Sequence, residues 1–231
     1  MWMECISDRA YTTREDLAQD IARVLREEVH FLLTAGAALV QFDEPVLTEA
    51  VHASPKNTRS FMCGALSEKN DAAHELEFAL SLIRNVVNGL PPERLAYHIC
   101  RGNWTPNETA ALTGDYQPLL KFLSELPVGT LFLEFCTSRA GSMDVLRDLP
   151  RHLRIGVGVV NQKRRDVEPT EEILVRAENA IRLFGPDRVL LTPDCGFATF
   201  ADNPISSATV AEAKLSAIAE AARILRQLPD S

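Results

Sequence analysis

No stretch of this 231-residue chain stays apolar for the roughly 18 residues that a membrane-crossing helix requires. Basic clusters are missing too. The longest run, Lys163-Arg164-Arg165, is broken at once by Asp166 and reads as a solvated loop, and the net charge is -8. That argues against a nucleic-acid or anionic-membrane surface, because nothing is grouped to pair with phosphates. The start, Met1-Trp2-Met3-Glu4-Cys5, lacks the apolar core of a secretion signal, so the expected location is the cytoplasm. There is no even set of closely spaced cysteines either. Cys5, Cys63, Cys100, Cys136 and Cys195 are scattered, which in a reducing compartment favours free thiols or metal ligands over a disulfide framework. Walker loops and nucleophile-elbow serines are also lacking. Gly156-Val157-Gly158 falls inside a strand pattern with no helix directly after it, so it does not read as a dinucleotide loop.

What remains is an ordinary globular composition, 46% hydrophobic and 24% charged, with no linker, repeat or low-complexity tract. A single domain over residues 1–231 is expected. Thr13 caps a first helix that runs to about Thr34, with Leu17, Ile21, Val24, Leu25, Val29 and Leu32 at helical spacing. Buried-strand runs follow at Ala38–Phe42, Leu95–Cys100, Thr130–Phe135, Arg154–Val160 and Arg188–Thr192. Helices are expected at about 71–89, 116–126, 142–149, 170–184 and 207–228, and residues 46–67 read as a long loop with one helical turn. Strand–loop–helix units in succession predict a parallel sheet with right-handed crossovers. Five strands make either an open doubly wound sheet or part of an eight-stranded barrel.

In such a fold the chemistry sits at the C-terminal ends of the strands. Those ends supply Asp43-Glu44, His98-Ile99-Cys100, Glu134, Asn161 with Lys163, and Asp194-Cys195. His98 and Cys100 are two apart on a strand and share a face. With Glu134 and Cys195 they offer one imidazole, one carboxylate and two thiolates, a mixed tetrahedron in which the thiolates favour zinc over magnesium or calcium. Taken singly, His98 is equally a hydrogen-bonded core histidine, and Cys100 and Cys195 small buried hydrophobes. Glu134 is harder to explain that way, because its apolar run buries a charge that needs a partner. Cys136 shares a face with Glu134 and is a competing, lower-ranked ligand. His30, His52, His74 and His152 fall on helices or loops and read as surface or structural.

Together these residues resemble the cobalamin-independent methionine synthase family, in its catalytic barrel, and most closely its shorter single-barrel members. The resemblance spans about residues 11–227. It is carried by Gln41-Phe42-Asp43-Glu44-Pro45-Val46-Leu47, His98-Ile99-Cys100-Arg101-Gly102-Asn103, Leu133-Glu134-Phe135, Gly156-Val157-Gly158-Val159-Val160 and Pro193-Asp194-Cys195-Gly196-Phe197. It implies an α/β fold of the (β/α)8 TIM-barrel type, present as its C-terminal five strand–helix units. It implies zinc on His98, Cys100, Glu134 and Cys195, and Asp43 binding the amino group of homocysteine. A small-molecule thiol and a methyl donor are then the partners, the donor being a folate or another methyl carrier. Lys163 stands where the long enzymes carry a proton-shuttling histidine and is the corresponding catalytic candidate. A related reading keeps the zinc and changes the substrate, as in epoxyalkane:coenzyme M transferases. A third is a non-catalytic partial-barrel subunit. Since the first three barrel strands have no counterpart, an oligomer, or a separate chain supplying the missing strands, is expected.

Overall fold

The computed structural model describes residues 10–52 and 71–227. Cys5 and Cys63, and most of the expected 46–67 loop, lie outside them. The described elements largely alternate strand with helix along the chain, and the five strands of the main sheet follow one another in sequence order. The chain divides into two compact units, Met1–Ile99 with Pro118–Leu131, and Cys100–Gln117 with Phe132–Ser231.

The first unit opens with α1, Arg14–Thr34, whose N-terminus is closed as the sequence predicts: Thr13 Oγ1 accepts from the Asp16 amide at 3.1 Å. Strand β1 is Val40–Glu44, and the expected helical turn after it is α2, Leu47–His52. Helix α3, Ala72–Val87, buries Leu80, Ile83, Val86 and Val87 along one stripe. Arg14 of α1 clamps Glu75 of α3 through two bonds of 2.8 and 2.9 Å. Strand β2, Leu95–Ile99, is buried at every position and pairs in parallel with β1, in a register that sets Asp43 opposite His98. A short helix, α4, Leu120–Glu125, leads towards β3, Thr130–Leu133.

The second unit is built on β4, Arg154–Val160, and β5, Val189–Pro193, which pair in parallel. Helices α5, Thr170–Phe184, and α6, Ala208–Leu225, pack on each other and on these strands. Beneath them Lys214 of α6 meets Glu168 at 2.6 Å, with both side chains almost wholly buried. A small antiparallel pair that the sequence pattern does not announce, β6 (Ala198–Phe200) with β7 (Asn203–Pro204), follows β5.

Several expectations need correction, among them the first strand, which runs Val40–Glu44 rather than Ala38–Phe42. The helix read at Ser142–Leu149 is only a 3-10 turn, Met143–Leu146, and Pro150 disfavours helical backbone at Leu149. The third strand ends at Leu133 rather than Phe135, so Glu134 lies just past it. The basic run is not uniformly solvated: Arg164 and Arg165 are exposed, but Lys163 is 6% exposed, its ammonium bound to the Thr105 carbonyl at 2.5 Å.

The glycine pair of β4 has a packing cause. A Cβ on Gly156 would lie 2.1 Å from Phe132 Cδ1, and one on Gly158 would lie 1.9 Å from Asp194 Oδ1. Neither has a positive φ. Both positions are therefore glycine for close approach rather than for backbone conformation.

Candidate metal centre

Polar side chains gather at the C-terminal ends of the strands. Cys100, the first residue past β2, and Cys195, two residues past β5, bring their sulfurs within 3.8 Å. The Gly102 amide points at Cys100 Sγ from 3.3 Å. His98 sits two residues before Cys100 on β2 and is buried. One nitrogen of His98 and the sulfurs of Cys100 and Cys195 all lie within 4.8 Å of one another, the one such trio of possible ligand atoms among the described residues. An imidazole and two thiols at this spacing suit a thiophilic, tetrahedral cation.

The electrostatics point the same way. The neighbouring Cys100 thiol, and then burial, push the Cys195 thiol far above its ordinary range, with Glu134 adding to the effect.

Glu134 is not one of the trio. Its Oε1 accepts the Arg101 amide at 2.7 Å, and its Oε2 lies 4.0 Å from the Arg139 guanidinium. The Tyr116 hydroxyl bonds the backbone on both sides of it, accepting from the Glu134 amide at 3.0 Å. Cys136, the competing ligand, faces Glu168 at 3.9 Å instead, and burial pushes its thiol up to about 12. Lys163 is close enough to feel Glu134 and both cysteines. Burial nevertheless leaves its ammonium below the ordinary lysine range.

Side chains outside the expected set tie this cluster together. Asn103 donates to the Gly196 carbonyl at 2.7 Å and accepts from Gln162 at 2.7 Å, joining the loops after β2, β4 and β5. Asp194, 2% exposed, accepts from the amides of Phe135 and Cys136. The sequence places Asp194 at a strand end but gives it no role. An acid directly before a candidate ligand, in an apolar run, is the signal that could have found it.

In the first unit, Asp43 is exposed and its Oδ1 accepts from Gln41 at 2.7 Å. It lines a cavity of about 370 Å³ together with Arg14, Phe42, Glu44, Phe78 and Tyr97. His30, His74 and His152 are exposed and His52 half-buried, in keeping with the surface or structural roles expected of them. No helix among the described residues is long and apolar enough to cross a membrane.

Comparison with known proteins bears on both units. The family model described as cobalamin-independent synthase, catalytic domain, matches residues 5–72 and 108–223, a span that leaves out His98 and Cys100. A methionine synthase of Saccharolobus islandicus (strain L.S.2.15 / Lassen #1) is 24% identical over 217 residues, 94% of this chain and 53% of that protein. One from Thermococcus kodakarensis is 25% identical over 186 residues, 80% of this chain and 45% of that protein. The chain thus spans about half the length of the curated relatives it matches. Among solved structures, a B12-independent methionine synthase from Shewanella sp. W3-18-1, in complex with selenomethionine, aligns with a TM-score of 0.70 at 22% identity. The alignment covers 95% of this chain and 57% of that one. It shows the fold, the α/β TIM-barrel type read from the sequence, over part of that chain's length.

Proposed function

The chain belongs to the cobalamin-independent synthase family, through its catalytic domain, and from that premise we propose that it takes part in zinc-dependent transfer of a methyl group to the thiol of homocysteine. The observation that carries the reading is the trio of His98, Cys100 and Cys195, with ligand atoms within 4.8 Å of one another. Glu134 is the fourth ligand in this reading, released from the Arg101 amide or sharing it. Zinc, when bound, holds a substrate thiol as thiolate near neutral pH, where a free thiol with a pKa of about 8.5 is mostly protonated.

The chain's own residues then bind and orient. Asp43, placed opposite His98 by the strand register, offers an exposed carboxylate to the amino group of the thiol substrate. Lys163, buried and held on the Thr105 carbonyl, keeps a positive charge near Glu134 and the two cysteines. It offsets the negative charge gathered there and is the candidate for proton management in place of a histidine, delivering the proton that the departing donor atom takes up. Attack by the thiolate forms the sulfur–carbon bond as the bond from that methyl carbon to its donor atom breaks, the donor leaving with the electron pair and taking up a proton, and this needs alignment more than further chemistry from the protein. Asp43 favours an amino-acid thiol, since a sulfonate would require a basic partner. Because the chain spans about half the length of its relatives, the activity is proposed for these residues together with the remaining barrel strands.

Metal analysis of the purified protein by mass spectrometry should give close to one zinc per chain. His98→Ala and Cys195→Ser should each lose it, and calorimetry should show homocysteine binding only to the zinc-loaded form. A metal-free protein whose variants behave like wild type would overturn the reading.

A further inference from the structure

The carboxylate of Asp194 bridges two strand ends. It stands at the end of β5, next to Cys195, and its Oδ1 accepts from the amides of Phe135 and Cys136 at 2.8 and 2.9 Å. Those amides come directly after Glu134, where β3 has stopped pairing. Its own amide donates to the Val160 carbonyl at the end of β4, at 2.9 Å. Three strand ends therefore meet on one residue that is 2% exposed.

The room for this carboxylate is made by another position. A Cβ on Gly158 would fall 1.9 Å from Oδ1 and 3.0 Å from Cγ, so any side chain there displaces the carboxylate. An oxygen that accepts two main-chain amides is held by geometry that a rotamer change breaks at both bonds together. Burying a carboxylate is costly unless such bonds compensate it, and the second oxygen, Oδ2, has no hydrogen-bond partner. Retaining an acid here, at that cost, calls for a role that a packed apolar residue would not fill.

We propose that Asp194 is a positioning residue for the metal centre. It fixes the distance between Glu134 and Cys195 by clamping the main chain just after one to the main chain just before the other. Gly158 is the cradle that keeps the clamp in place. The proposal rests on the reading of Glu134 and Cys195 as ligands. Neither Asp194 nor Gly158 touches the metal. Their effect passes through the amides of Phe135 and Cys136.

Two measurements on the intact chain separate the clamp from its consequence. The first is hydrogen exchange at the Phe135 and Cys136 amides in metal-free protein. Both should be protected in the wild type and in Asp194→Asn, which keeps the accepting oxygen. Both should exchange freely in Asp194→Ala and Gly158→Ala. The second is zinc affinity by competition with a chromogenic chelator, with the absorption of the cobalt-substituted protein recorded alongside. Asp194→Ala and Gly158→Ala should weaken zinc by about 10- to 100-fold and alter the cobalt bands, the usual size for outer residues that orient ligands. Asp194→Asn should stay within about three-fold of wild type.

Loss of amide protection with unchanged zinc affinity and cobalt bands would overturn the positioning role. So would an Asp194→Asn variant as weak as Asp194→Ala, because charge rather than the two amide bonds would then matter. If Asp194→Ala does not fold, Gly158→Ala and Asp194→Asn still decide the question. A wild type that binds no zinc removes the metal reading and the positioning role with it, while the exchange data still report whether the clamp exists.

Discussion

Strands β4 and β1 are parallel-sheet strands of the same chain, yet six of the seven residues of β4 are buried and only one of the five in β1 is. In β4 every residue after Arg154 is buried, down to two glycines that admit Phe132 and Asp194. In β1, Gln41 and Asp43 are exposed, and Asp43 keeps an ionisable group open to solvent. The difference separates two kinds of work. The surroundings of β4 set the geometry of the strand ends, whereas β1 presents a group that can still take a partner.

Single substitutions can break or sharpen this contrast. The largest effect is expected at Lys214→Met, which leaves the buried Glu168 carboxylate without its cation. Chemical denaturation should show a loss of about 3–5 kcal/mol. The corresponding pair in the first unit, Arg14 with Glu75, is partly exposed, so Arg14→Met should cost below about 1 kcal/mol by the same measurement. Comparable losses for the two pairs would erase the distinction. Gly156→Ala comes next. Its new methyl must displace the Phe132 ring, and thermal unfolding should report a loss of about 1–3 kcal/mol. The smallest stability change is expected at Asp43→Asn, within about 0.5 kcal/mol for an exposed strand position. If β1 presents a binding group, that variant should nonetheless lose calorimetric binding of homocysteine. An Asp43→Asn protein that unfolds early would instead make β1 a structural strand like β4.

Where a segment's own periodicity decides its structure, the sequence suffices. Helix α5 runs from Thr170 to Phe184 and strand β4 from Arg154 to Val160, both as the pattern predicts. The end of β3 is different. Its apolar run continues to Phe135, but the chain leaves the ladder at Leu133. The Phe135 and Cys136 amides turn to a side chain 59 and 58 residues away rather than to a neighbouring strand. No local pattern records such an exchange of partners. The same limit applies to the candidate site. His98, Cys100 and Cys195 are legible because strand ends collect chemistry and their residue types match a metal. The orientation of Glu134 towards Arg101 and Arg139 depends on contacts made across the second unit. Lys163 is hidden for a related reason. In sequence it belongs to a basic run, and only the fold separates it from Arg164 and Arg165, burying it on the Thr105 carbonyl.

The close approach of Gly158 to Asp194 also bears on how this fold can drift. Positions 158 and 194 share one small volume, so the first cannot gain a side chain unless the second gives way. A chain that gains a methyl at the first must accept a shorter residue at the second, and the viable route passes through the second change before the first. Across divergent relatives these two positions should therefore co-vary, glycine with aspartate and alanine with serine, however far the surrounding sequence has moved.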